Sequence, residues 1–315
     1  MQIVILDGHT ANPGDLSFDG LREFGNLSVY ERTPPDLIAQ RLRGADIVFT
    51  NKTPLRLEHL GTTKKLKFIG VLATGYDVVD VAAAAARGIV VCNVPAYSTD
   101  SVAQHVFALL LEICQNVGLH DRAVHAGRWT NSPDYCFWDT PLIELSGKTL
   151  GIFGCGRIGC RVAEIGKAFG MRVLGSSPRE RSGFAGRYVD FDTLLAESDV
   201  LTLHCPATEK TKGIINAETL AKMKDGAILI NTSRGALVVE QDLCDALESR
   251  KLYAAGVDVA AKEPIPANSP LLKARSCYIT PHIAWAPYEA RKRLIDITVE
   301  NLRAFLAGKP VNQVN

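Results

Sequence analysis

Lys148-Thr149-Leu150-Gly151-Ile152-Phe153-Gly154-Cys155-Gly156-Arg157-Ile158-Gly159 is the stretch that decides how this chain folds. An apolar strand, Thr149 to Phe153, runs into three spaced glycines. A helix-like run follows, then a second strand, Arg172 to Gly175. This is a G-x-G-x-x-G pattern set inside a βαβ unit. Gly154 allows the tight turn, Gly156 lets the backbone approach a pyrophosphate, and Gly159 lets the helix pack closely on the sheet. The helix N-terminus, at Arg157 and Ile158, then faces the anion. Glycines alone in a strand-to-helix turn often mean only tight packing. The strand, helix and strand around them turn the pattern into a prediction of dinucleotide binding.

Toward the N-terminus, strand-like segments recur at 2–6, Leu27 to Tyr30, Ile47 to Thr50, Phe68 to Leu72 and Val90 to Asn93. Helical patterns lie between them, including Pro35 to Leu42 and Val79 to Arg87. Apolar runs alternating with helices predict a small α/β domain with a parallel sheet. The fingerprint therefore comes a whole domain late. Two loops follow strand ends, where open α/β sheets bind ligands: Asn51-Lys52-Thr53-Pro54 and Ala73-Thr74-Gly75-Tyr76-Asp77. Either is equally readable as a plain connection. Residues 94–101 carry a proline and capping residues ahead of the helical pattern Val102 to Val117, and mark the crossing into the second domain. Between Arg128 and Pro141, Trp129, Tyr135, Phe137 and Trp138 sit among polar residues. They suit a subunit contact or lid, or else a satellite core.

Toward the C-terminus, strands recur at Val200 to His204, Ala227 to Asn231, Ala254 to Val257 and Cys277 to Thr280. Helices near Phe191 to Glu197, Ala217 to Met223 and Glu240 to Ser249 separate them. An amphipathic helix from Glu289 to about Leu306 ends before Gly308 and Pro310. It is positioned to return to the first domain. The expected fold class is α/β, with two Rossmann-like domains built on doubly wound parallel sheets. The substrate domain is discontinuous, 1–98 plus 287–315, and 99–286 form the dinucleotide domain.

The bulk numbers narrow the function classes. A chain of 315 residues, 47% hydrophobic and 22% charged, has the makeup of an ordinary globular protein of about two domains. A formal charge of +1 offers no electrostatic footprint for nucleic acid or an anionic membrane. No apolar run approaches a bilayer span, and the first residues enter a strand at once, so the cytoplasm is the expected compartment. The eight cysteines are scattered without a C-x-x-C pair and read as buried free thiols, with no metal site expected.

At the end of the second strand of the fingerprint, NAD-binding units place an acidic residue for the ribose 2′-OH. Here Ser176 and Ser177 stand there, followed by Arg179, Glu180 and Arg181. Hydroxyls with a nearby guanidinium suit a 2′-phosphate, which favours NADP over NAD. Glu180 keeps NAD open.

Three further strand ends carry polar groups: Asn231-Thr232-Ser233-Arg234-Gly235, Asp258-Val259-Ala260-Ala261-Lys262-Glu263-Pro264 and Thr280-Pro281-His282-Ile283-Ala284-Trp285. Hydride transfer to a ketone also needs a proton for the developing alkoxide. A histidine beside a carboxylate suits that task, because the negative charge favours the imidazolium and orients the ring. An arginine beside them suits a substrate carboxylate and 2-oxo group.

With the fingerprint, these segments and the order Gly256-Val257-Asp258-Val259, Glu263-Pro264 and Thr280-Pro281-His282-Ile283, the chain resembles the D-isomer-specific 2-hydroxyacid dehydrogenase family over nearly its whole length. Within it the chain is most similar to the glycerate dehydrogenase and hydroxypyruvate reductase group. The resemblance implies that His282 is the general acid, paired with Glu263. Arg234 and the backbone of Thr74 and Gly75 would hold the substrate carboxylate. Asp258 would face the nicotinamide carboxamide, and His204, Cys205, Pro206, Thr211, Thr232 and Ser233 would complete the cofactor side. Trp285 suggests a compact pocket wall. The expected reaction is NAD(P)H-dependent reduction of hydroxypyruvate or glyoxylate by a homodimer. A broader D-lactate-type dehydrogenase is the runner-up, and a dinucleotide-sensing corepressor-like protein is the rival of another class.

Overall fold

The computed structural model describes every residue, Met1–Asn315, and divides into two compact units: Met1–Ser98 with Ala286–Asn315, and Thr99–Trp285. Each is built on one parallel sheet.

In the first unit the strands are β1 (Gln2–Ile5), β2 (Asn26–Val29), β3 (Ile47–Thr50), β4 (Phe68–Val71) and β5 (Val90–Cys92), ordered β2-β1-β3-β4-β5. Every residue of β3 and β4 is buried, which is why these strands read as continuous apolar runs and do not alternate. The helix Tyr288–Leu306 belongs to this unit. It buries Leu294 and Leu302, and its Phe305 ring lies 4.9 Å from that of Phe68. Asn301 Nδ2 donates to the Asn93 carbonyl at 2.8 Å, and the tail returns to β5 through Val314 N–H on Val91 O at 2.9 Å. Both guanidinium branches of buried Arg291 meet the Asp15 carboxylate, at 2.7 and 2.6 Å, and hold that carboxyl below its usual range.

In the second unit the strands are β6 (Thr149–Phe153), β7 (Arg172–Ser176), β8 (Arg187–Tyr188), β9 (Val200–Leu203), β10 (Ala227–Asn231), β11 (Leu252–Val257) and β12 (Cys277–Ile279). Their order is β12-β11-β10-β9-β6-β7-β8, so the chain reverses direction across the sheet between β6 and β9. Ligands of such sheets bind outside the strand ends at that reversal. The helix Thr99–Gln115 buries Val102, Val106, Leu109, Leu110 and Ile113 in a core shared with Ile152, Ile228 and Ile230. Gly256 permits its approach, because a Cβ there would lie 3.1 Å from Leu109 Cβ.

The α/β alternation read from the sequence is present in both sheets. Among the strands and α-helices, three escaped that reading. β8 has two residues, too few to show a period. The helix Leu57–Gly61 is a single turn, and Val117–His125 has no buried residue to mark an apolar face. No single helix is long and apolar enough to cross a membrane.

Candidate active site

The fingerprint turn sits where the strand order reverses. Gly154 has φ +100, and a Cβ there would lie 2.6 Å from the backbone of His204 and Cys205, the residues following β9. Its N–H donates to Ser176 O at the end of β7, at 2.9 Å. Gly159 packs the helix Arg157–Ala168 against the turn, since a Cβ there would lie 2.3 Å from Gly154 O. Gly156 differs. A Cβ at Gly156 would meet nothing within 4 Å, and no side chain caps the helix below it. The first N–H groups of a helix have no intrahelical partner, so those at Arg157 and Ile158 open onto solvent-accessible space with the positive end of the helix dipole behind them. A dinucleotide pyrophosphate fits this cradle.

The neighbouring positions divide by what their side chains already do. Ser176 is buried and Ser177 partly so, while Arg179, Glu180 and Arg181 are exposed. Partly buried His204 bonds Thr202 Oγ1 through Nε2 at 2.9 Å, and desolvation pushes its pKa down to about 3, leaving a neutral ring. Burial pushes the Cys205 thiol up to about 11 and the Cys155 thiol up to about 12, so both stay protonated. Thr211 Oγ1 is engaged in its own turn, donating to Pro206 O at 2.7 Å and accepting from Thr208 N–H at 2.8 Å. Ser233 Oγ donates to Cys205 O at 2.7 Å, joining the ends of β9 and β10. Thr232 Oγ1 is buried without a hydrogen-bond partner. An orphaned hydroxyl beside the strand ends is a second observation that fits a polar ligand there.

Arg234, Glu263 and His282 come from three consecutive neighbours in the sheet. Asn231 of β10 pairs with Val257 of β11, which pairs with Ile279 of β12, so the three strands end level. Strands lie about 4.8 Å apart, which brings the three following loops within roughly 10 Å. His282 Nδ1 and Glu263 Oε2 are 2.6 Å apart. An ionised carboxylate only accepts, so Nδ1 carries the proton and Nε2 is the nitrogen that faces outward chemistry. Glu263 Oε1 accepts from Ala260 N–H at 3.1 Å. Arg234 is exposed, and its Nη1 donates to Ser233 O at 2.8 Å. The next residue explains why the two loops come together: a Cβ at Gly235 would lie 2.0 Å from Ala260 C. Only glycine lets the Arg234 turn lie against the loop that carries Glu263.

In the first unit, Thr74 is exposed and Gly75 half-buried beyond β4. Thr74 is anchored by its hydroxyl on Val94 O at 3.0 Å and by Asn93 Nδ2 on its carbonyl at 2.7 Å. The other candidate loop is already occupied. Asp7, at the end of β1, accepts from the N–H groups of Asn51, Lys52 and Thr53 at 2.7, 2.5 and 2.7 Å, so these donors are unavailable to an anion.

Residues 107–284 match the model of the D-isomer specific 2-hydroxyacid dehydrogenase, NAD binding domain. The chain belongs to that family. It is 53% identical to the hydroxypyruvate reductase of Blautia hydrogenotrophica, with all of both chains covered. It is 41% identical to the glycerate dehydrogenase of Methylorubrum extorquens, covering 99% of this chain and 98% of that one. Among solved structures it is similar to an NADPH-dependent glyoxylate/hydroxypyruvate reductase from Sinorhizobium meliloti, at 28% identity and a TM-score of 0.84, covering 99% and 97% of the two chains. As a family member, the chain takes a nicotinamide dinucleotide.

Several contacts of these groups could not be read from the sequence. Thr280 and His105 both reach Asp258, and Glu240 accepts from Ala261 N–H at 2.7 Å and from Ser269 Oγ at 3.1 Å, tying the Glu263 loop to the helix Glu240–Glu248. The only local signal for His105 is a titratable residue on the partly buried side of an otherwise apolar helix. No group of three or more His, Cys, Asp or Glu side chains is arranged to hold a metal ion.

Proposed function

We propose that this dehydrogenase reduces a small 2-oxo acid, hydroxypyruvate or glyoxylate, with NAD(P)H to the D-2-hydroxy acid, D-glycerate or glycolate, reversibly. The observation that carries the reading is the 2.6 Å pair His282–Glu263 beyond β12 and β11, beside the strand that ends in Arg234. The activities named for the Blautia and Methylorubrum relatives support the substrate class.

When bound, the nicotinamide supplies the hydride. As the imidazolium, His282 donates its Nε2 proton to the forming alkoxide and takes it back in oxidation, while Glu263 accepts from Nδ1–H and orients the ring. Arg234 binds the carboxylate and polarises the 2-oxo group. Gly154 to Gly159 hold the pyrophosphate. Ser176, Ser177 and Arg179 receive a 2′-phosphate, which makes NADPH the preferred donor. Thr232 supplies its unpartnered hydroxyl, with Ser233, His204, Cys205, Pro206 and Thr211 around it. Asp258 keeps one acceptor site for the carboxamide. Trp285, half-buried, walls the pocket against bulky side chains.

The test is NADPH oxidation followed by absorbance. Hydroxypyruvate and glyoxylate should turn over well, and phenylpyruvate and 2-oxoisocaproate poorly. Equal turnover of the bulky acids overturns the substrate assignment. His282→Ala should lower kcat by about 10²-fold or more with NADPH affinity kept, and near-normal turnover removes the acid role. Trp129, Tyr135 and Trp138 are 53, 89 and 64% exposed on the second unit, while half-buried Phe137 packs against Arg128, whose guanidinium lies 4.3 Å from its ring. We assign this face to a homodimer contact. Trp138→Glu should shift the sedimentation coefficient toward the monomer.

A further inference from the structure

His282 stands in the left-handed backbone region, at φ +57. For a residue other than glycine that conformation is disfavoured, because the Cβ crowds the following carbonyl oxygen. It persists only where surrounding bonds impose it. Those bonds are present on both sides of His282, and most converge on Asp258. Ile283 N–H donates to Asp258 Oδ1 at 2.8 Å and Ala284 N–H to Oδ2 at 2.9 Å. Ahead of His282, Thr280 Oγ1 donates to Asp258 Oδ1 at 2.7 Å, and His282 N–H returns to Thr280 O at 3.0 Å. Asp258 is 1% exposed, so these donors are also what makes its buried charge tolerable. Its own N–H on Asn231 O, at 2.9 Å, ties it to β10.

Proton counting extends the chain by one residue. Thr280 has a single hydroxyl proton, and the carboxylate takes it. The 2.9 Å contact between Thr280 Oγ1 and His105 Nε2 therefore has the imidazole as donor. His105 sits on the helix Thr99–Gln115, whose closeness to β11 depends on Gly256.

We propose that His105, Thr280 and Asp258 form a positioning relay, His105 Nε2–H to Thr280 Oγ–H to Asp258, that clamps the 280–284 turn and so holds His282 against Glu263. None of the three donates or accepts the transferred proton. The relay acts through His282, and the inference rests on the reading of His282 as the acid.

The experiment compares Thr280→Val, Thr280→Ser, His105→Leu, His105→Gln and His282→Ala, reading kcat and KM for hydroxypyruvate, NADPH affinity without substrate, and melting temperature. Displacing a reacting group by about 1 Å costs on the order of 10²-fold in rate. Thr280→Val and His105→Leu should therefore lose roughly tenfold to a hundredfold in kcat with NADPH affinity within about twofold of wild type. Thr280→Ser restores the hydroxyl and His105→Gln restores a donor at the Nε2 position, so both should recover most of the rate. Should Thr280→Val fail to fold, His105→Leu carries the test, because it leaves the bonds of Thr280, Ile283 and Ala284 to Asp258 intact. The relay is overturned if Thr280→Val and His105→Leu keep wild-type kcat while His282→Ala loses it. It is also overturned if Ser and Gln restore nothing. Normal kcat in His282→Ala overturns the acid reading and the relay with it.

Discussion

Replacing Gly156 by alanine should cripple cofactor binding and spare the fold, whereas replacing Gly159 should damage the fold itself. The added methyl at Gly159 would stand 2.3 Å from Gly154 O, where ordinary contact begins near 3.4 Å. The helix or the fingerprint turn must then give by about 1 Å, and overpacking of that kind costs about 1–3 kcal/mol. For a unit of this size each kcal/mol is worth about 2–4 °C of Tm. The methyl at Gly156 meets nothing within 4 Å, and φ there is −74, ordinary for alanine. The fold loses only the preference of glycine over alanine at a helix start, about 1 kcal/mol. That methyl occupies the surface a phosphate must approach. Loss of one charge-assisted hydrogen bond, about 1.5–3 kcal/mol, corresponds to about a tenfold to hundredfold rise in Kd. Differential scanning fluorimetry of the apo protein and an NADPH fluorescence titration read the two effects separately. If Gly156→Ala binds NADPH within twofold of wild type, the pyrophosphate does not lie over this turn.

Three further expectations concern single side chains. Arg179→Ala should raise the KM for NADPH about tenfold while that for NADH stays level, as removal of a guanidinium from a 2′-phosphate requires, and an unchanged preference in steady-state assays would discard Arg179 as the reader. Arg234→Leu should lower kcat/KM for hydroxypyruvate by about 10³-fold, the worth of two charge-assisted bonds, with NADPH affinity retained in the same titration. His204 is neutral in the fold, with a pKa of about 3 set by burial, against an unfolded value near 6.5. Below pH 6.5 the unfolded chain takes up a proton that the folded one refuses, so stability falls with falling pH until about pH 3. By pH 5 the loss is at most about 2 kcal/mol. Urea midpoints at pH 7 and pH 5 should differ less in His204→Gln than in wild type, and an identical difference would place the acid sensitivity elsewhere.

Both parallel sheets were legible because buried strands and amphipathic helices write their burial into local residue patterns. Nearly every strand began within a residue or two of its expected position; β8 did not, since two residues cannot show a period. The glycine fingerprint was legible for a similar reason, as its three positions carry one local turn. The family likeness was legible in motif order alone.

The sequence by itself thus determined the α/β class, the place of the glycine turn and the identity of Arg234, Glu263 and His282 as strand-end groups. Only the tertiary structure decided that β10, β11 and β12 are neighbours ending level, and hence that the three groups share one edge. It also decided that Asp7 uses up the donors of the Asn51–Thr53 loop, that Gly235 is required by Ala260, and that Asp258 clamps the His282 turn. Hydrophobic period is a property of a few consecutive residues. Strand order, close backbone approach and the partner of a buried carboxylate are settled between residues far apart in the chain, where local pattern carries no information.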